Sequence, residues 1–303
     1  MRLPLAVVRL MTRSLIAPLL SPRLPVAVRR AGLDATGVTI PLPRGTRTAT
    51  GVLGGVPTTA VGASGACGPL RLLYLHGGGY QVGSPRSHRA LLAGLSAATG
   101  SIALAPDYRL APEHPYPAAV EDALAAWHAL RAAGHAAGDI MVAGDSAGGG
   151  LAMSLVLRLR AAGEALPGSV GLISPWLDLD CGSPVMWRNA DTDAMLDPGW
   201  LPDAAADYRG GSTAPDLRPL EADLTGLPPL HVVAGGSEVL VDDADRLVAR
   251  AREVGAPVTY LRAPGMWHAY PVVAGFLREA DDAVAALGSA LRADCTAAAA
   301  HRS

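Results

Sequence analysis

The sequence predicts an α/β fold with a mostly parallel central sheet flanked by helices, and three observations carry that prediction. From about Leu70 onward, short apolar runs alternate with helical stretches, and each run closes in a Gly- or Pro-marked turn. That alternation is the mark of strand–helix–strand crossovers. Gly 35 and Pro 25 make up about a fifth of the 303 residues beside a single Phe, which implies many tight turns and an interior of Ala, Val and Leu. Half of the residues are apolar and 17% are charged, enough apolar mass for a full core and too little charge for a disordered chain.

The N-terminal segment, residues 1–44, opens with Met1–Arg30, which holds six arginines and no acid. At about 100° per residue, Arg2, Arg9 and Arg13 fall on one side of a helix and Val7, Met11 and Leu15 on the other. The stretch between Arg13 and Arg23 is too short and too Pro-broken to span a bilayer. The expectation is an amphipathic helix laid over the protein's own surface, with membrane contact the less favoured reading.

The first core part, 45–176, carries strands at Leu70–Leu75, Ser101–Ala105, Ile140–Ala143 and Val170–Ile173, and helices near His88–Thr99, Ala118–Ala133 and Ala147–Ala162. Residues 177–214, with Trp187, Trp200, Asp191, Asp193 and several prolines, break the alternation and suit a lid formed together with the N-terminal segment. The second core part, 215–292, resumes with strands Leu230–Ala234 and Val258–Arg262 and helices Asp242–Val254 and Ala274–Arg292. The tail, 293–303, is expected to fray from Thr296.

Several function classes are excluded. A net charge of −2 without a block of like charge leaves no footprint for nucleic acid. All 25 basic residues are Arg, so Schiff-base and Walker-type lysine chemistry is absent. Cys67, Cys181 and Cys295 are odd in number and widely spaced, which fits a reducing cytoplasmic setting and no disulfide framework. The eight histidines show no HExxH pattern, so no metal is expected. The expected partner is a small molecule, and a homodimer is compatible with the chain.

The chemistry sits in three places. The strand ending at Ala143 runs into Gly144-Asp145-Ser146-Ala147-Gly148 and then a helix, which is G-x-S-x-G in its strand–turn–helix context. A serine on that strained turn projects its Oγ above the sheet, and the Ala147 amide at the helix start points where an oxyanion forms. A plain strand-to-helix turn, or a phosphate cradle extended by Gly149-Gly150, is the blander account. Upstream, the strand Leu70–Leu75 ends in His76-Gly77-Gly78-Gly79-Tyr80, a run that supplies further oxyanion amides. His76 precedes Ser146, so it is read as orienting this loop and not as the base.

Downstream, acid and histidine follow successive strands, at Glu238 and at His268. Both loops leave the carboxyl ends of parallel strands and so gather on the edge that carries Ser146. Glu238 comes right after its strand, whereas Asp242 and Asp243 fall in the first turn of a helix, where carboxylates complement the dipole. Position favours Glu238 as the acid and leaves Asp242 and Asp243 open as alternatives.

His76-Gly77-Gly78-Gly79-Tyr80, Asp107–Ala118 (DYRLAPEHPYPA) and Gly144–Gly150 (GDSAGGG) together resemble the hormone-sensitive lipase family of α/β-hydrolases over about Leu70–Ala290. The resemblance implies the α/β-hydrolase fold with a helical cap, built from the N-terminus and an insertion after the sixth core strand. It also implies a cofactor-free serine esterase acting on short to medium acyl esters. Residue by residue it implies Ser146 as nucleophile, His268 as base and then acid, Glu238 as the orienting carboxylate, and Gly78, Gly79 and Ala147 as oxyanion donors. The family usually carries its acid in Asp-Pro-Leu; here Glu238-Val239-Leu240 fills that slot. Arg109 and Glu113 are expected to pair near the site. The alternatives are an acetyl-hydrolase or lactone hydrolase of specialised metabolism and, more distantly, a non-catalytic ligand receptor, which would be free to lose Ser146, Glu238 or His268.

Overall fold

A computed structural model describes residues 2–300, with side chains described for 2–297. Eight strands form one sheet: β1 (Arg47–Leu53), β2 (Val56–Gly62), β3 (Arg71–Leu75), β4 (Ile102–Pro106), β5 (Ile140–Asp145), β6 (Ser169–Ile173), β7 (Leu230–Gly235) and β8 (Val258–Ala263). Their spatial order is β1-β2-β4-β3-β5-β6-β7-β8. From β4 to β8 every pairing is parallel, while β1 and β2 add an antiparallel edge. That edge went unread in the sequence although Gly54-Gly55, both at positive φ, form the two-residue connection a tight hairpin demands.

The helices are α1 (Leu5–Met11), α2 (Val26–Thr39), α3 (Arg89–Thr99), α4 (Ala118–Ala132), α5 (Ala147–Ala161), α6 (Pro184–Arg188), α7 (Leu201–Arg209), α8 (Val241–Glu253) and α9 (Arg278–Ala300). Two apolar layers bury the sheet. Leu73, Leu75, Val142 and Leu172 turn to the α4, α5 and α8 side, and Leu72, Tyr74, Met141 and Ile173 to the α3 and α9 side. This two-sided burial explains why the strands read as continuous apolar runs and not as alternating ones.

The last helix differs from expectation at both ends. It starts after the turn at Gly275 and carries on through 293–300, because Leu287, Leu291 and Cys295 keep a four-residue spacing into the core. Residues 301–303 of the expected tail lie outside the described residues. No helix among the described residues is long and apolar enough to cross a membrane.

The segments outside the alternation meet over the carboxyl edge of the sheet. α1 passes into a π-helical turn at Thr12–Ile16, and the insertion contributes α6 and α7. Arg13 Nη2 donates to the Asp191 carbonyl at 2.7 Å, and the Arg29 guanidinium lies 4.4 Å from the Trp200 ring centroid, joining the two segments. The orientation of α1 is not the one expected. Val7 and Leu15 stand exposed and Val8 and Thr12 are buried, because the arginines do the docking: Arg9 lies over Trp267 and donates to the Gly265 carbonyl, and Arg2 pairs with Asp281.

Candidate active site

β5 delivers Ser146 at φ 52°, ψ −123°, a strained conformation that the surrounding close packing must hold in place. Gly148 makes this possible: a Cβ there would come within 2.1 Å of the Leu75 carbonyl oxygen, so any side chain would force β3 and the turn apart. The Ser146 amide donates to the Ile173 carbonyl at 2.8 Å, and Ser146 Oγ lies 2.9 Å from His268 Nε2. His268 Nδ1 and Glu238 Oε1 stand 3.8 Å apart, within ion-pair range and beyond hydrogen-bond length, and both are buried without another partner. The attraction between the two groups grows when the imidazole takes a proton and becomes a cation.

The other Glu238 oxygen, Oε2, accepts from Ser174 Oγ at 2.6 Å and from the Gly235 amide at 2.7 Å. Burial pushes the Glu238 carboxyl up, against His268 and Ser174, which favour its charge. At His268 burial opposes protonation, but Glu238, Asp193 and Asp145 outweigh it and hold the imidazole above its ordinary value. Asp242 sits in the first turn of α8, and the carboxylate that faces His268 Nδ1 belongs to Glu238.

The glycine loop is pinned from below. Asp145 Oδ1 accepts from Tyr74 Oη at 2.6 Å and from the Gly77 amide at 2.9 Å, and Asp145 Oδ2 lies 3.3 Å from His88 Nε2. Burial opposes both charges of this pair, yet their mutual attraction lowers Asp145 and raises His88. Among the described residues no acceptor pairs with the amides of Gly78, Gly79 or Ala147. His76 is buried and stacked on Tyr108, with its imidazole pushed down to about 3 by burial and by His88, so it is neutral and positioned to shape the loop.

A cavity of about 150 Å³ opens beside Ser146 and His268, walled mainly by apolar side chains of α1, α2 and the insertion, among them Met11, Leu33, Leu196 and Trp200. Among the described residues no group of three or more His, Cys, Asp or Glu side chains is arranged to hold a metal ion.

A family model described as the alpha/beta hydrolase fold matches residues 72–272. An acetyl-hydrolase from Streptomyces hygroscopicus is 44% identical over 223 residues, covering 73% of this chain and 75% of its own. An esterase from Acinetobacter venetianus is 36% identical over 217 residues, covering 71% and 72%. A solved esterase of the bacterial hormone-sensitive lipase family superposes with a TM-score of 0.90 at 38% identity, covering 96% of this chain and 97% of that one. This chain belongs to the hormone-sensitive lipase family of α/β-hydrolases.

Within that family frame the structure brings Ser146, His268 and Glu238 together, with Gly78 and Gly79 lining the same cavity and Ala147 following Ser146 at the start of α5. It separates one expected pair: Arg109 binds Asp122 and Glu121, and Glu113 binds Arg30 of α2 at 2.7 Å. The sequence reading also passed over two residues. Ser174 links Glu238 to the Ala269 amide, which donates to Ser174 Oγ at 3.0 Å. Its signal was available, since it follows β6 at the carboxyl edge of the sheet.

Asp193, in the insertion, is the second. It is buried; its Oδ1 accepts from the amides of Met195 and Leu196 and from that of His268 at 3.2 Å, and its Oδ2 accepts from the Val239 amide at 2.9 Å. One carboxylate from the insertion therefore ties together the loops that carry Glu238 and His268. Asp193→Asn removes a negative charge near His268 and turns an amide NH₂ toward backbone donors. The expected result is a loss of about 10² in kcat with KM little changed. The acid limb of the kcat/KM profile also moves to lower pH, because the imidazole loses a group that favours its protonated form. A pH–rate profile checks this, and an unmoved limb would leave Asp193 with packing alone.

Proposed function

We propose that this carboxylic ester hydrolase cleaves esters of short to medium acyl chain through an acyl-enzyme on Ser146. The 2.9 Å contact between His268 Nε2 and Ser146 Oγ carries the reading. His268 takes the hydroxyl proton as Oγ attacks the ester carbonyl, and the negative charge moves to the carbonyl oxygen, facing the amides of Gly78, Gly79 and Ala147. The imidazolium is balanced by Glu238 across 3.8 Å. It returns the proton to the departing alcohol; water, deprotonated by the same imidazole, then releases the acid and restores Ser146.

The cavity supports the acyl range. At about 150 Å³ with mainly apolar walls, it matches the space that holds a benzene-sized group, about six carbons. Rates over p-nitrophenyl esters are expected to peak near butyrate or hexanoate and to fall for longer chains; a maximum at laurate would contradict the reading. The 44% identity to an acetyl-hydrolase favours a second reading, removal of acetyl groups from a larger molecule. An N-acetylated amine and a lactone assayed beside the ester series separate these activities.

The oxyanion assignment has its own test. Gly79 has φ 60°, and a Cβ there would lie 2.7 Å from the Trp200 ring. Gly79→Val is expected to lower kcat by about 10² or more, since the branched side chain displaces the donor amide. Steady-state kinetics on a soluble ester check this, and an unchanged kcat would move the oxyanion site elsewhere.

A further inference from the structure

The outer surface of the N-terminal segment is built inside out. On α2 the charged residues Arg29, Arg30 and Asp34 all turn toward the protein, to Gln81 and Trp200, to Glu113, and to Ser84 respectively. The face left in solvent is Ala27, Val28, Ala31, Ala35 and Val38, with Thr39 at its end, and it carries no charge. α1 repeats the pattern at Arg9, which is turned onto Trp267, while Val7, Leu10 and, in the π turn, Leu15 stand exposed; Arg13 of that turn is exposed with them. Of the nine large apolar side chains exposed among the described residues, five lie in the first 38. A soluble surface helix normally shows the reverse arrangement, so apolar side chains gathered on the outward side of this segment signal contact with another apolar phase.

Two further observations identify that phase. Arg13 and Arg23 stand exposed on this side of the segment without a carboxylate partner among the described residues, and Asp34, the one acid of residues 2–41, is turned to Ser84, so the charge left outward is positive and favours a negatively charged partner. Leu15 is 57% exposed and also lines the cavity that holds Ser146, so the apolar face continues into the cavity mouth. We propose that the outward face of α1 and α2 docks onto the surface of an anionic phospholipid bilayer. Both helices rest on the protein itself, as the sequence suggested; the lipid contact falls on the face that this docking leaves outward. The docked pose places the cavity entrance against the lipid, so an ester dissolved in the bilayer reaches Ser146 without crossing water. That consequence rests on the esterase reading; the docking does not.

The test uses the purified full chain and sedimentation with phosphatidylcholine vesicles, with and without phosphatidylglycerol. The chain is expected to sediment with the anionic vesicles, at least about tenfold more weakly with phosphatidylcholine alone, and progressively less as salt rises. Leu10→Glu combined with Val28→Glu, both exposed and outside the cavity wall, is expected to weaken sedimentation at least about tenfold, leaving hydrolysis of a soluble ester unchanged. Failure of the unmodified chain to sediment with anionic vesicles overturns the proposal, as does sedimentation that the double substitution leaves intact. An unmodified chain that forms dimers broken by the same substitutions, without binding vesicles, assigns the face to a second copy and also overturns it. Because sedimentation does not depend on turnover, failure here is distinct from failure of the esterase reading.

Discussion

Replacing Ser146 by Ala is expected to lower kcat by on the order of 10⁴ or more, with the fold intact. The elbow keeps its Cβ, the hydrogen bond its backbone N–H donates to the Ile173 carbonyl and its unusual backbone angles, so only the hydroxyl is lost. Without it His268 has no proton to take and no acyl-enzyme forms; what remains is whatever the oxyanion amides give to direct attack by water. Thermal unfolding of the variant should match that of the parent, and a burst of p-nitrophenol should vanish. A variant with normal burst and turnover would remove Ser146 from the chemistry.

Glu238→Gln is expected to cost a similar factor, on the order of 10⁴ in kcat, with binding of a non-hydrolysable substrate analogue nearly unchanged. The amide keeps the shape but not the charge; with its oxygen accepting from the Gly235 amide and the Ser174 hydroxyl, its NH₂ group is turned to His268 Nδ1 and donates where the carboxylate accepted, which favours the wrong imidazole tautomer. Glu238→Asp should retain partial activity, because the charge survives and only the reach shortens. Asp242→Asn alters the first turn of α8, where a carboxylate is worth about 1 kcal/mol at most, and should leave turnover near normal. Single-turnover kinetics on the three variants separate the two acids. A dead Asp242→Asn beside an active Glu238→Gln would assign the role to Asp242.

Most of the sheet was legible because burial on both faces leaves its mark in the sequence: Arg71–Leu75 and Ile140–Asp145 read as apolar runs ending in glycine-bearing turns. The elbow and the glycine loop were legible for a steric reason, since approaches as close as 2.1 Å at Gly148 exclude every other residue. The hairpin of β1 and β2 escaped notice because β1 is exposed along almost its whole length and β2 intersperses its buried Val56, Thr58 and Val61 with exposed and half-buried positions, so neither carries an apolar run, although Gly54-Gly55 marked the turn. Asp193 was illegible because its partners are backbone amides 46 and 75 residues away, and an amide leaves no trace in a side-chain pattern. The facing of α1 failed for the opposite reason: periodicity locates two sides of a helix but does not say which one binds. Here Trp267, Gly265 and Asp281, more than 250 residues distant, draw the arginines inward. Glu113 likewise found Arg30 of the cap and not its near neighbour Arg109, tying α2 to the loop that follows β4.

The most direct test of the acyl-enzyme account is covalent capture of the nucleophile. Incubation with an alkyl fluorophosphonate whose chain fits the cavity, followed by intact-mass and peptide mass spectrometry, should show one adduct per chain, located on Ser146. Labelling should follow the same acid limb as ester hydrolysis, because both need neutral His268. It should be absent in Ser146→Ala. A single adduct on another residue, or labelling of Ser146→Ala at the parent rate, would contradict the account.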